Sequence, residues 1–167
     1  MAKYSNKEFK KIIKHIIEHN EFQKTKDAAH HGITRYDHCV RVAYYTYIIT
    51  KILHLDYKEA TEAALLHDFF TNEVAEKGGI SRLRLHPTHA VENSKKHFNI
   101  SKKQEDIIKT HMFPVTFTPP KYLESWIVDL ADDFAAIYER TYTIKNELSS
   151  ATTFLFLVLI NFFKTRI

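Results

Sequence analysis

Cysteine occurs once, at Cys39, and the 167 residues hold only three glycines and four prolines. A single thiol excludes a disulfide framework and a zinc site built on cysteine pairs, and it fits a reducing compartment. So few glycines and prolines leave too little turn-forming material for a many-stranded β architecture. A secretory signal is also lacking: residues 1–11 are polar and carry neither an apolar stretch nor a small-residue cleavage site, so the expected address is the cytoplasm. Long hydrophobic runs are missing too. The most apolar stretch, Phe154 to Phe163, covers ten residues and is interrupted by Asn161. A bilayer span needs about 20, so this stretch reads as a buried terminal helix.

What is present is enough apolar material for one core: 44% hydrophobic and 13% aromatic residues. A chain of this length fits a single domain over residues 1–167. The net charge of +4 comes from lysines scattered along the chain rather than gathered in one tract. That spread describes a solvated surface better than a nucleic-acid groove, and it suits a phosphorylated small substrate. Histidine is the outlier, with eleven copies of a side chain whose special uses are metal binding and proton transfer near neutral pH.

The periodicity predicts about six or seven helices. Ser5 and Glu8 form a capping box before Phe9, Ile12, Ile13, Ile16 and Ile17, which recur at three-and-four spacing to about His19. Residues 21–34 read as a connection with one short helical turn at most. Thr34 caps a second long helix bearing His38, with Asp37 in its first turn. Asp56 opens a nearly all-apolar helix through Ala60, Ala63, Ala64, Leu65 and Leu66, which should be central and which ends in His67 and Asp68. Residues 71–85 read as a surface connection and Pro87 as the first turn of a helix to about His97. Ser101 and Gln104 make a capping box for a helix ending near His111. Residues 122–142 place Trp126, Ile127, Leu130, Phe134 and Ile137 on one face, and a last helix covers about 150–164.

An apolar helix that ends in His67-Asp68 would bury a carboxylate, which costs several kcal/mol unless the group is paired or coordinated. His38, His86, His111 and Asp132 each fall on a different predicted helix or helix start, as ligands converging in the centre of a bundle would. A lone histidine at such a position is ordinarily a packed core residue; the joint pattern is what points to metal.

These residues resemble the HD-domain superfamily of metal-dependent phosphohydrolases in its two-metal variant, ordered His, His-Asp, His, His, Asp. Thr34-Arg35-Tyr36-Asp37-His38-Cys39-Val40-Arg41-Val42-Ala43 is similar to its first motif, Ala63-Ala64-Leu65-Leu66-His67-Asp68 to its second and Leu130-Ala131-Asp132 to its last. The resemblance covers about residues 30–140. It implies an all-α bundle that hydrolyses phosphomonoesters or phosphoanhydrides with a metal-bound hydroxide, on a phosphorylated small molecule and first of all a nucleotide. It implies His38, His67 and Asp132 on one ion, His86 and His111 on a second, and Asp68 bridging as the catalytic carboxylate. His86 fits the optional position better than His89, because the small Ala90 lies four places on; His89 is the alternative, and otherwise a substrate contact. Imidazole and carboxylate donors suit two divalent transition ions, Fe or Mn first, with Zn, Ni, Co or Mg admissible.

Arg35, one turn before His38, is placed to hold phosphate oxygens bidentately, or else forms a surface ion pair with Asp37 or Glu21. His30 and His31 either line the cleft mouth and contact substrate or belong to a solvated loop. Asp129 and Asp133 flank Asp132 as supporting or exposed groups, Lys109 and Glu73 read as exposed helical faces, and Cys39 as a small buried side chain. The chain departs from the cyclic-dinucleotide phosphodiesterases of the superfamily, which follow His-Asp with Ile-Gly-Lys where Phe69-Phe70-Thr71 stands here. They also carry a histidine pair that is missing near His111. The expected partners are the substrate and, as an open option, a second copy in a homodimer, with no membrane and little scope for nucleic acid. Two readings compete: a non-catalytic nucleotide-sensing HD module, and a basic nucleic-acid-binding helical domain that would leave the histidines unexplained.

Overall fold

A computed structural model describes residues 4–30, 32–70 and 79–164, without the side chains of 29–30, 79–83 and 146–164. The chain is an all-α single domain. Its helices are α1 (Lys7–Ile17), α2 (Asn20–Gln23), α3 (Arg35–Ile52), α4 (Tyr57–Leu66), α5 (Gly79–His97), α6 (Lys102–Thr110) and α7 (Leu123–Lys164). A 3-10 turn (Lys24–Asp27) and a two-residue hairpin, β1 (Ala29–His30) with β2 (Ile33–Thr34), lead from α2 into α3. The hairpin tip lies so close to α7 that a Cβ on Gly32 would fall 2.5 Å from the Thr143 hydroxyl, and Gly32 also has a positive φ of 84°. Both constraints demand glycine.

Capping chemistry sets most helix starts. Thr34 accepts from the Asp37 amide, Asp56 from Glu59, and Ser101 exchanges reciprocal bonds with Gln104. In α1 the cap is Asn6, which accepts from the Phe9 amide, one residue after the expected Ser5. Helix α5 starts at Gly79, well before the expected start at Pro87. Pro87 therefore sits inside it and cannot donate to the carbonyl of residue 83.

Helix α4 is the centre, as its sequence predicts: Ala60, Ala63, Ala64, Leu65 and Leu66 are all buried. It packs on α1, α3, α6 and α7, and α7 also lies against α3 and α6. The short side chains of α4 let α3 approach closely, while Leu65 and Leu66 each contribute about 1.5–3 kcal/mol by burial. Phe9, Ile13 and Ile16 of α1, with Phe22 and Phe69, close one end of the core.

Helix α7 runs unbroken for 42 residues where two helices were expected. The apolar residues that the sequence places on one face point outward. Trp126, Leu130, Phe134 and Ile137 are exposed, and only Ile127 of that set is buried. The inward face carries Val128, Ala131, Ala135 and Glu139, with Asp132 partly buried among them. The expected burial of residues 154–163 concerns side chains outside the described set.

Glu8 ties three helices together, accepting from Tyr47 (2.6 Å) and Lys51 on α3 and from Tyr57 (2.9 Å) on α4. The Lys51 bond, then those of Tyr47 and Tyr57, hold its pKa down at about 2. A carboxyl with a depressed folded pKa stabilises the fold above its unfolded value and loses that contribution as pH falls through the folded one. Glu8→Gln is therefore expected to lower Tm at neutral pH, with the deficit shrinking as pH drops from about 4.5 towards 2. A deficit independent of pH in thermal melts would refute the assignment.

Candidate metal centre

Five helices bring six ligand-type side chains to one place. His38 comes from the first turn of α3, His67 and Asp68 from the end of α4, His86 from α5, His111 from the end of α6 and Asp132 from α7. Their donor atoms form three overlapping groups, each within 4.8 Å: His38–His67–Asp68, His67–His111–Asp132 and Asp68–His86–His111. Asp68 belongs to both the His38 group and the His86 group, the position a shared carboxylate would take. All but Asp132 are buried, and the Asp132 side chain, at 14% exposure, marks the side open to solvent.

Hydrogen bonds at the far side of each ring fix its orientation. The Nδ1–H of His67 donates to the Ala64 carbonyl at 2.7 Å, and that of His111 to the Ile108 carbonyl at 2.7 Å, because a carbonyl can only accept. Both rings therefore aim Nε2 at the centre. His38 is gripped from both sides, with Nε2 2.9 Å from Asp132 Oδ1 and Nδ1 2.9 Å from Glu139 Oε2. Glu139 is wholly buried and its other oxygen accepts from Arg41. Sequence reasoning missed Glu139, although its place seven residues after Asp132, two turns along the same face, is a signal that could have found it.

Protons or a cation must balance the two carboxylates. His67 Nε2 is buried, stands 3.6 Å from Asp132 Oδ1 and has no hydrogen-bond partner. His86 Nε2 lies 2.9 Å from His111 Nε2 and 3.3 Å from Asp68 Oδ1. Burial, with the charges of His67 and His86, pushes His111 down to about 3, so it is neutral and turns a lone pair towards His86. Burial opposes the charged form of His38, yet the bonds to Asp132 and Glu139 outweigh it and hold its pKa up at about 10. Burial would likewise raise Asp132, but the neighbouring His67 and His38 keep it well below the usual carboxylate range. Two carboxylates among four inward-facing imidazoles thus recruit protons in the absence of a metal. Divalent cations would satisfy the orphaned His67 nitrogen within the His38–His67–Asp68 or His67–His111–Asp132 group and the facing pair His86 and His111 within the Asp68–His86–His111 group, so the residues present fit a metal.

The remaining sequence candidates divide. His89 stays out of the cluster; its Nδ1 is 3.3 Å from Glu92 Oε2 on the half-exposed flank of α5. Arg35 is buried rather than on the surface: Nη1 donates to the Phe70 carbonyl at 2.9 Å and the guanidinium lies 3.8 Å over the Phe70 ring. The other neighbour of that ring is His86, with centroids 5.2 Å apart, and Arg35 also lines a 170 Å³ cavity with Lys24, Phe69 and Asn93. Asp129 is buried, and burial, then Asp133 and Asp132, raises it to about 7. Asp133 and Lys109 are exposed. Cys39 is a buried free thiol whose pKa burial drives well above its usual value. His31 and Glu73 lie outside the described residues, as does the side chain of His30.

The family model described as "HD domain" matches residues 35–137. The match exceeds half of the chain, which therefore belongs to the HD-domain family, in the superfamily of metal-dependent phosphohydrolases. No curated protein and no solved structure matches it significantly.

Glu139 makes the metal-facing geometry of His38 dependent on a residue that itself points away from the centre. Glu139→Gln removes the carboxylate from both His38 and Arg41 and is expected to weaken metal affinity by about 10–100-fold, with helix content unchanged by circular dichroism. Unaltered affinity in a metal titration would show that the ring needs no such support.

Proposed function

We propose that this protein hydrolyses a phosphomonoester or phosphoanhydride bond of a phosphorylated small molecule, a nucleotide in the first instance, with two divalent transition ions. The observation that carries the reading is the buried cluster of four inward-facing imidazoles and two carboxylates, with the His67 nitrogen left without a hydrogen-bond partner. When bound, such ions lower the pKa of a coordinated water towards neutrality and neutralise phosphate charge. His38, His67 and Asp132 would hold one, His86 and His111 the other, and Asp68 would be shared. Imidazole and carboxylate donors favour Fe or Mn, with Zn, Ni, Co or Mg as substitutes.

The chain's own contribution is orientation and charge. The carbonyls of Ala64 and Ile108 fix the rings of His67 and His111, and Glu139 fixes His38. Asp68 is the carboxylate through which both halves act. On the substrate side we assign Arg35 as phosphate grip: its guanidinium is stacked on Phe70 next to His86 and near Lys24 and Asn93. His89 and His31 are the proposed outer contacts. The net charge of +4 favours an anionic substrate. Among the described residues no helix is long and apolar enough to cross a membrane.

A panel of nucleotides and phosphomonoesters assayed with Mn, Fe and Co tests the reading. Metal-dependent release of phosphate is expected, with Asp68→Ala abolishing both turnover and metal retention. Arg35→Ala should lower kcat/KM by about 1.5–3 kcal/mol, the scale of a charged hydrogen bond, without changing metal content. Metal-dependent nucleotide binding with no turnover by the unaltered protein would instead support a nucleotide-sensing module.

A further inference from the structure

The outward face of α7 is the largest unexplained feature of the molecule. Leu130, Phe134, Ile137 and Ile144 are 53%, 67%, 63% and 64% exposed, with exposed Thr141 among them. They recur at alternating four- and three-residue steps. The same steps continue in the sequence through Leu148, Ala151, Leu155, Val158 and Phe162. Beside this stripe, Ile48 and Ile49 of α3 are exposed and, with Tyr45, Ala131, Phe134 and Tyr138, line an apolar groove of about 390 Å³.

A helix that merely rests on its own domain follows a period of about 3.6, whereas a strict seven-residue repeat sustained over more than four heptads is the seam of a coiled coil. The length of α7 agrees with that reading. Its 42 residues extend about 63 Å, against about 28 Å for the 19 residues of α5, the next longest helix.

We infer that this seam is the dimer interface, covered by α7 of a second copy running antiparallel. In a symmetric antiparallel register centred between Thr141 and Ile144, Phe134 meets the partner's Ala151, Ile137 meets the partner's Leu148, and Leu130 meets the partner's Leu155. Large side chains then oppose small ones in the Phe134 layer. A parallel, in-register pairing would set Arg140 against the partner's Lys145, a like-charge contact that disfavours it. The antiparallel register also lays the run 154–163 of each copy, apolar in sequence, along the partner's exposed α3 and α7 surface.

Sedimentation equilibrium of the full chain is expected to give a dimer at micromolar concentration. Ile137→Glu and Phe134→Glu alter exposed positions and should weaken association on the order of 100-fold while leaving helix content and metal uptake intact. Under oxidation the pair Phe134→Cys with Ala151→Cys should give covalent dimers, whereas Phe134→Cys alone should not, because only a parallel pair brings residue 134 to its own copy. A monomer at tens of micromolar, a dimer indifferent to Ile137→Glu, or cross-linking by the single variant would overturn the inference. So would a monomer that floats with anionic vesicles, which would give the face to a lipid surface.

Discussion

Two carboxylates, Asp68 and Asp132, sit among four imidazoles in a space almost closed to water, and the rest of the molecule is arranged to make that tolerable. An isolated buried carboxylate would take up a proton or disrupt its surroundings. Here each lies within 4 Å of two or more ring nitrogens, so the negative charge is never far from a proton or a cation. The opposed pKa directions of His38 and His111, one held near 10 and the other near 3, follow from the same cause. The ring hydrogen-bonded to two carboxylates keeps its proton, and burial, with two neighbouring rings, holds His111 neutral.

That constraint also fixes the rotation of α7. On apolar content alone the helix would bury Trp126, Leu130, Phe134 and Ile137. Burying that face would carry Asp132 and Glu139 away from His38, because they lie on the opposite side of the helix. The ion-pair network of His38, Asp132, Glu139 and Arg41 outweighs the loss of several apolar burials. Those burials are recoverable in a second way, by association, whereas the polar network is not. The hydrophobic stripe left outside is thus a consequence of the site and not a packing defect.

Much of the fold was readable because it rests on local chemistry. The caps at Thr34, Asp56 and Ser101, the small-residue centre of α4 and the all-helical class are short-range signals. The convergence of His38, His67, Asp68, His86, His111 and Asp132 was legible only jointly, as a spacing shared with a known family. What escaped was decided by tertiary context. Glu139 looks like an ordinary helical glutamate until α3 is packed against it. The start of α5 at Gly79 overrides the usual preference of proline for a first turn. For Arg35 the sequence leaves a phosphate grip or a surface ion pair open, and what removes the surface pair is the turn after Asp68, which folds back over the buried guanidinium and supplies the Phe70 carbonyl it binds. The continuity of α7 through residues 143–149 was missed because Lys145, Asn146, Glu147, Ser149 and Ser150 make a polar stretch that reads as a break between two apolar segments.

The account turns on whether the imidazole and carboxylate cluster holds metal. The most direct measurement is elemental analysis of protein purified without chelator or affinity metal, followed by an anomalous-difference map of its crystals. The account predicts transition metal near two equivalents per chain, with one peak among His38, His67 and Asp132, a second beside His86 and His111, and Asp68 between them. Metal-free protein that gains none on soaking with Mn or Fe, with His67 Nε2 still facing Asp132 unbridged, would contradict it.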